Sequence, residues 1–263
     1  MAKKLIDIRT LIDKSGPAFY QYLHQLLHDD IMEKLMEINL QTDVYIFSGI
    51  IRNYFLKIYR KRDVDVVLGN EINITERFKD LPFQKNSFGG YKISFPSGPL
   101  DLWFIKDTWA FQHSQKTFEF NLEKKIPDTA FFNFSSIVYS LNKKQFYYTK
   151  HFVKFLRDKK LDYVYKENPN YCLCIVNTLY YADRYELKIA DRLLNFITDL
   201  YKKNLYDFQT TQLKHFGEII YSDSEIEKRL TSYQPANVSK NSKNISKQSH
   251  RSAKRTVAIN SSR

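Results

Sequence analysis

Residues 44–68 read VYIFSGIIRNYFLKIYRKRDVDVVL, in which two short apolar runs enclose an amphipathic segment. The first run, 44–47, has the length and composition of a buried β-strand. Ser48-Gly49 then predicts a turn, because glycine lets the backbone bend sharply and approach a ligand closely. The apolar residues of 50–58 recur at helical spacing, which predicts a helix with one buried face. A second strand over 63–68 completes the predicted unit.

The second strand contains two acids, Asp63 and Asp65. Alternate residues of a strand point to the same side, so both carboxylates face one way while Val64 and Val66 face the other. Two like charges side by side in an apolar strand are unfavourable unless a cation neutralises them. A hard divalent metal ion takes oxygen ligands and would do so. Because a glycine-containing turn at a helix start suits a phosphate group, the stretch predicts a site for a metal-bound nucleotide.

A structural explanation of the two aspartates is also open. Arg60, Lys61 and Arg62 lie directly before them in the chain. The acids could form ion pairs with Arg60 and Arg62 in an α/β unit that has no catalytic role. In the functional interpretation, the same three basic residues contact the phosphate backbone of a nucleic acid.

The order of these features resembles the nucleotidyltransferase superfamily, and within it the head and neck of bacterial poly(A) polymerases and CCA-adding tRNA nucleotidyltransferases. That family carries a Gly-Gly or Gly-Ser turn, an arginine on the following helix and Asp-x-Asp on the next strand. The matching residues here are Ser48-Gly49, Arg52 and Asp63-x-Asp65. The resemblance also implies a third carboxylate on a later strand, which matches Asp101 in the apolar run PLDLWFI.

Two later segments also resemble this family, and both depart from its pattern. Residues 128–141 resemble the segment after the third carboxylate and place Asn133 at the family's asparagine, but Ile126 and Pro127 replace two arginines. The structural alternative for Asn133 is a turn or strand-edge residue. Where the family has Glu-Asp-x-x-Arg, which pairs with the incoming base, residues 170–174 read NYCLC. The resemblance therefore does not extend to base selection or to ordered CCA addition.

The resemblance implies an enzyme that transfers NMP from an NTP to an RNA 3′ end, with tRNA as the favoured acceptor, and releases pyrophosphate. In that interpretation two Mg²⁺ ions are held by Asp63, Asp65 and Asp101. The nucleotide, ATP or CTP, is contacted by Ser48, Gly49, Arg52 and Asn133. One alternative is a toxin or phage-defence nucleotidyltransferase that modifies a protein or a small molecule. Another is a catalytically inert RNA-binding module.

The predicted fold class is α+β, a mixed β-sheet with helices as in the nucleotidyltransferase fold, followed by a helical domain and a disordered basic tail. Alternation over 91–105 predicts a hairpin that carries Asp101. From residue 150 onward the apolar spacing is helical. The predicted domains are N-terminal helices over 1–40, a head over 41–149, a helical neck over 150–231 and the tail over 232–263.

The composition fits a globular protein with a polyanionic partner. Hydrophobic residues make up 43% of the 263 residues, enough for a packed core, and the formal net charge is +12. Seven of the basic residues, including Lys254 and Arg255, lie in 234–263, a segment that has no acid. This tail is predicted to be disordered and to bind RNA or a protein partner. No apolar run is long enough for a membrane span or a signal peptide, so a cytoplasmic location is expected.

Overall fold

The computed structural model describes residues 4–47, 49–58, 64–85, 89–113 and 122–232. The chain divides into two compact units, residues 1–204 and 205–263. The finer division into N-terminal helices, head and neck stays a prediction. Within the described part of the chain, no helix has the length and apolar character needed to cross a membrane.

The described residues form both helices and strands. The helices are α1 (Leu5–Lys14), α2 (Gly16–Leu26), α3 (Asp29–Asn39), α4 (Gly49–Leu56), α5 (Ile74–Arg77), α6 (Trp109–His113), α7 (Leu122–Thr129), α8 (Lys150–Asp158), α9 (Tyr171–Arg184), α10 (Asp191–Lys203), α11 (Phe208–Phe216) and α12 (Asp223–Ser232). The strands are β1 (Val44–Phe47), β2 (Val64–Leu68), β3 (Phe83–Lys85), β4 (Tyr91–Phe95), β5 (Gly98–Phe104), β6 (Ile137–Ser140), β7 (Gln145–Tyr148), β8 (Lys160–Leu161) and β9 (Lys188–Ile189).

Seven strands form one mixed sheet in the order β3-β4-β5-β2-β1-β6-β7. The β2–β5 pair is parallel, and the other neighbours in this sheet are antiparallel. The short strands β8 and β9 form a separate parallel pair. The mixed sheet with its helices confirms the predicted α+β class, and β4 with β5 is the predicted hairpin over 91–105.

Helices α1 to α4 and α8 cover one face of the sheet with an aromatic core. Phe19 of α2 lies with its ring 4.8 Å from that of Tyr139 and 5.0 Å from that of Phe146. Phe55 of α4 contacts Phe146 and also Phe152 of α8. This face buries the alternate strand residues, among them Val64 and Val66.

The apolar spacing of 17–38 predicts one long helix or two end to end, and the structure has two, α2 and α3. They are separated where Leu27 and His28 adopt extended backbone conformations.

Helix α2 packs closely on the turn between β6 and β7. Gly16 begins α2, and a Cβ there would lie 2.1 Å from the backbone oxygen of Lys144. Only glycine permits that approach of helix to turn.

One local prediction was wrong, and two predicted helices have other bounds in the structure. The polar composition of 69–90 predicts an irregular segment, yet it includes α5, where the Asn73 side chain accepts a hydrogen bond from the amide of Glu76, and β3, which pairs with β4. The sequence predicts a short helix over 106–115, and the structure has a 3-10 turn over Ile105–Asp107 followed by α6, while 114–115 lie outside the described residues. The helix predicted over 50–58 ends at Leu56, because Lys57 has a left-handed backbone conformation.

The second unit has its own buried polar centre. The Gln212 side chain in α11 is fully buried. Its amide nitrogen donates to the carbonyl oxygens of Phe208 and Tyr221, and its oxygen accepts from the amides of Ile220 and Tyr221. Three of these hydrogen bonds join α11 to the segment that leads into α12, and the bond to Phe208 lies within α11.

Candidate active site

Asp65 and Asp101 lie opposite each other on neighbouring parallel strands. Asp65 in β2 is the register partner of Asp101 in β5. Strands in a sheet are about 4.8 Å apart, and register partners on parallel strands point to the same face. Both side chains therefore lie on the face opposite Val64 and Val66. Asp101 is 9% exposed and Asp65 is half-buried.

Lys92 extends this row by one strand. It is the register partner of Asp101 across the antiparallel β4–β5 pair. Its Nζ atom lies 3.2 Å from the Oδ2 atom of Asp101. On the other side of the row, Phe47 of β1 is the register partner of Asp65. The sheet thus presents a cation, two carboxylates and an aromatic ring on four adjacent strands.

A cavity of about 430 Å³ opens beside this row, between the sheet, α6, α7 and the start of α9. Asp65 forms part of its wall. The aromatic lining residues are Phe47, Trp103, Trp109, Phe111, Phe131 and Tyr165. The other polar lining residues include Thr108, Thr129, Glu167, Asn168 and Asn170. Flat aromatic walls with a few polar groups are typical of a small-molecule site.

A second cavity of about 240 Å³ adjoins the first and shares part of its lining, including Phe47 and Phe131. Its other walls include Arg52 of α4 and three residues of α9: Cys174, Asn177 and Tyr181. The Oδ1 atom of Asn177 is buried and has no hydrogen-bond partner among the described residues. Burial raises the pKa of the Cys174 thiol well above its usual value, so this thiol stays protonated and is a poor nucleophile.

Arg52 is buried among aromatic rings, with only 1% of its surface exposed. Its guanidinium carbon lies 4.7 Å from the ring centre of Phe134 and 4.4 Å from that of Tyr185. It donates hydrogen bonds to the Tyr185 hydroxyl group, at 2.6 Å, and to the Asn53 side chain. The contact with Tyr185 joins α4 to the C-terminal end of α9, and Arg52 forms part of the wall of the second cavity.

The Asn133 side chain is bonded to backbone groups. Its Nδ2 atom donates to the carbonyl oxygen of Lys160 at 2.8 Å, and its Oδ1 atom accepts from the amide of Asp162 at 3.1 Å. Asn133 therefore holds β8 and the residue after it against the turn before β6. These are structural contacts, as in the alternative that the sequence analysis gives for Asn133. The contact of Asn133 with a nucleotide stays a prediction.

Several predicted site residues lie outside the described residues. They are Ser48, Arg60, Lys61, Arg62, Asp63, Lys254 and Arg255. Gly49, by contrast, is described and begins α4. The tail from 233 onward also lies outside the described part, so its RNA contact stays a prediction. Among the described residues, no group of three His, Cys, Asp or Glu side chains could hold a metal ion.

The described carboxylates nevertheless fit a magnesium site. Asp65 and Asp101 present oxygen ligands from one face of adjacent strands, and Mg²⁺ is bound in proteins through one or two carboxylates and substrate phosphates. Asp101 is mostly buried and has a cation beside it, as an ionised carboxylate at that depth requires. The predicted third ligand, Asp63, directly precedes β2.

Sequence reasoning missed several residues of this site. Trp103 follows Asp101 by two positions on β5, so strand alternation could have placed it on the same face. Lys92 sits on the facing arm of the predicted hairpin, but only the register pairs it with Asp101. Glu167 and Asn177 carry no sequence signal, because tertiary packing alone brings them to the cavities.

Several solved structures with a similar fold are CCA-adding enzymes. The chain is similar to a CCA-adding enzyme in complex with CTP, with a TM-score of 0.58 and 15% identity, over 81% of this chain and 53% of that one. It is similar to a CCA-adding enzyme with ATP, with a TM-score of 0.55 and 15% identity over the same shares. It is also similar to the Thermotoga maritima CCA-adding enzyme complexed with tRNA, with a TM-score of 0.55 and 16% identity over the same shares.

These similarities concern the fold and about half of each matched chain. They show that the chain shares its fold with these CCA-adding enzymes, as the sequence resemblance predicts. The chain spans about half the length of the CCA-adding enzymes that it matches. Comparison of the sequence with protein-family models finds no match, and comparison with curated proteins finds none either.

Proposed function

We propose that this chain is a metal-dependent nucleotidyltransferase that transfers NMP from an NTP to the 3′ end of an RNA. The hydroxyl oxygen of the acceptor loses its proton to solvent and forms a bond to the α-phosphorus, the bond between the α-phosphorus and the bridging oxygen breaks, and pyrophosphate leaves. The observation that carries the proposal is the register of Asp65 with Asp101 beside a nucleotide-sized cavity.

The two carboxylates are proposed to hold the reacting phosphate through magnesium. Asp65 and Asp101, with Asp63 as the third ligand, would hold the cations. Magnesium, when bound there, supplies positive charge to the triphosphate and lowers the pKa of the attacking hydroxyl group. The start of α4 at Gly49 is proposed to receive the terminal phosphates at a helix N-terminus.

The aromatic walls of the first cavity are proposed to hold the base. Trp103, Trp109 and Phe131 offer flat apolar surfaces near Asp65. Stacking on such rings contributes about 1–3 kcal/mol per base and tolerates different bases. Asn168 and Asn170 supply amide groups at the same cavity. They are uncharged, unlike the acid and arginine that pair with the incoming base in the family that the sequence resembles.

The NTP and RNA substrates are proposed from the similar structures. Those proteins are CCA-adding enzymes solved with ATP, CTP and tRNA. ATP or CTP is therefore the proposed donor and tRNA the first acceptor to test. The acid and arginine that select the base in the family that the sequence resembles are absent from 170–174. Addition of a templated CCA sequence is therefore not proposed.

The test is incubation with each of four α-³²P-labelled NTPs, magnesium and total RNA. We expect wild-type protein to label RNA, and Asp65→Asn and Asp101→Asn to label it at least ~10³-fold more slowly, as expected for loss of transition-state charge stabilisation. Asp80→Asn, an exposed acid after α5, is the matched control and should label RNA at the wild-type rate.

The labelled product separates the alternatives. A labelled protein or small molecule, with no labelled RNA, would show that the acceptor is not RNA. The proposed nucleotidyl transfer would still hold. Full activity of both Asp65→Asn and Asp101→Asn would contradict the proposed site. RNA binding without transfer of any of the four nucleotides would indicate the inert RNA-binding module.

A further inference from the structure

The salt bridge between Lys92 and Asp101 places a cation directly on one of the proposed metal ligands. Nζ of Lys92 lies 3.2 Å from Oδ2 of Asp101. The Asp101 side chain is 13% exposed and that of Lys92 is 38% exposed. The buried partner is therefore the carboxylate, and the lysine reaches it from the more open edge of the sheet. Because Lys92 is the more exposed partner, its ammonium group can leave the contact and be hydrated by solvent. The buried Asp101 carboxylate cannot do the same.

The strand register fixes the side from which Lys92 approaches. Lys92, Asp101 and Asp65 are successive register partners on β4, β5 and β2. The ammonium group and the second carboxylate thus flank Asp101 from opposite sides. A divalent cation shared by Asp65 and Asp101 would lie on the Asp65 side, within a few ångströms of the lysine. Two cations that close repel each other strongly in a partly buried site.

We propose that Lys92 is a counter-cation of Asp101 that is exchanged for metal when the nucleotide binds. Without substrate, Lys92 neutralises Asp101 and keeps the affinity of the acid pair for free metal low. When the NTP arrives with its own cation, Lys92 releases Asp101 and its ammonium group moves to the triphosphate. Lys92 is therefore a positioning residue that makes metal binding depend on the nucleotide. The inference rests on the proposed metal-dependent function.

The chemistry of lysine suits this exchange. Its ammonium is a compact point charge on a flexible four-carbon chain and donates hydrogen bonds in several directions. It can neutralise either a carboxylate or a phosphate from one backbone position. An arginine at this position would retain the charge, whereas a methionine would retain most of the length and remove the charge. These two substitutions separate charge from packing.

The first measurement is binding of Mn²⁺ to the full chain, followed by electron paramagnetic resonance of the free ion. In the absence of nucleotide, we expect Lys92→Met to bind Mn²⁺ about tenfold more tightly than wild type, because a cation that competes for Asp101 is removed. Lys92→Arg should bind Mn²⁺ like wild type. The matched control is Lys85→Met on β3, whose Nζ atom lies 5.8 Å from the ring centre of Tyr91. It should leave Mn²⁺ affinity unchanged.

The second measurement is steady-state transfer activity. We expect Lys92→Met to raise KM for the NTP several-fold and to need less free metal for half-maximal rate. Lys92→Arg should restore both values toward wild type, which a loss of packing alone would not allow. Thermal unfolding of each variant, without metal, shows whether the fold is intact before these comparisons.

The outcomes separate this inference from the proposed function. Unchanged or weaker Mn²⁺ binding by Lys92→Met, with wild-type binding detected and lost in Asp101→Asn, overturns the role of Lys92 and leaves the metal site standing. Absence of Mn²⁺ binding by both wild type and Lys92→Met, with and without NTP, overturns the metal site and with it the inference. Tighter binding by Lys92→Met supports both.

Discussion

The two faces of the seven-stranded sheet differ in what covers them. On one face, helices pack aromatic and aliphatic side chains against residues such as Val66 and Tyr139, both fully buried. On the other face, a smaller cluster around Tyr45, Val67 and Ile126 is covered by α7, and the cavity with Asp65 opens beside it.

The difference shows how one strand contributes to both stability and a site. Along β2, Val64 and Val66 enter the helix-covered core while Asp65 points to the cavity. The alternation of the strand makes this division possible in neighbouring residues. The core face fixes the register of β2 against β5, and that register brings Asp65 and Asp101 together. Substitutions on the two faces should therefore have separable effects.

The largest expected effect on stability is that of Phe19→Ala. The Phe19 ring is fully buried and contacts Tyr54, Tyr139 and Phe146. Removing it should lower the free energy of unfolding by about 3–5 kcal/mol, through lost transfer energy and a residual cavity. Asp65→Asn, on the other face, should change it by less than about 1 kcal/mol. Urea unfolding followed by circular dichroism measures both values.

A similar loss of stability in the two variants would break the comparison between the faces. It would mean that Asp65 belongs to the folding core as much as Phe19 does. Folded Phe19→Ala protein, assayed at a temperature below its unfolding transition, should retain nucleotide transfer.

A smaller effect is expected for Gly90→Ala, on the cavity face. A Cβ atom at Gly90 would lie 2.2 Å from Nε1 of Trp103, so the rigid indole ring must move. Because Trp103 lines the cavity, the shift should reduce both packing and the space for a base. We expect a loss of about 1–3 kcal/mol in unfolding free energy and a raised KM for the NTP. Ser94→Ala, at an exposed position on β4, is the control.

An unchanged Trp fluorescence and an unchanged KM in Gly90→Ala would indicate that the indole is not held at the cavity wall. A fall in stability without a change in KM would place the base elsewhere than beside Trp103. Either result would limit the proposed nucleotide site to Asp65 and Asp101 and remove the Trp103 wall from it.

Much of the fold could be predicted from the sequence because its signals are local. Strand β1, helix α4 and strand β2 follow from the apolar periods of 44–68, and strand alternation placed Asp65 opposite Val64 and Val66. The pattern could not predict β3, because three residues of an edge strand are stabilised by pairing with β4 and carry no period of their own. Nor could it separate α2 from α3, since both have the same helical spacing.

The candidate site could be predicted in part, for the same physical reason. The sequence marks acids in apolar strands, and Asp65 and Asp101 are such acids. It does not mark the partners that only tertiary packing supplies, such as Lys92 on β4 or the aromatic rings around Arg52. The hydrogen bond from Arg52 in α4 to Tyr185, directly after α9, joins residues that are 133 positions apart in the chain.

The smallest expected effect concerns His151, at the start of α8 on the helix-covered side. Burial, together with the nearby charges of Arg192, Lys150 and Lys154, lowers the pKa of His151 below its ordinary value, and Asp162 opposes this in part. Below about pH 6.5 the unfolded chain binds a proton that the folded chain does not, so stability should fall as pH is lowered through that range. His151→Gln removes this dependence, so the stability of the variant relative to wild type should rise between pH 8 and pH 5. Urea unfolding at both pH values measures the change, with the exposed His113→Gln as control. A relative stability that stays constant, or that falls toward pH 5, would show that protonation of His151 does not oppose folding on this side of the sheet.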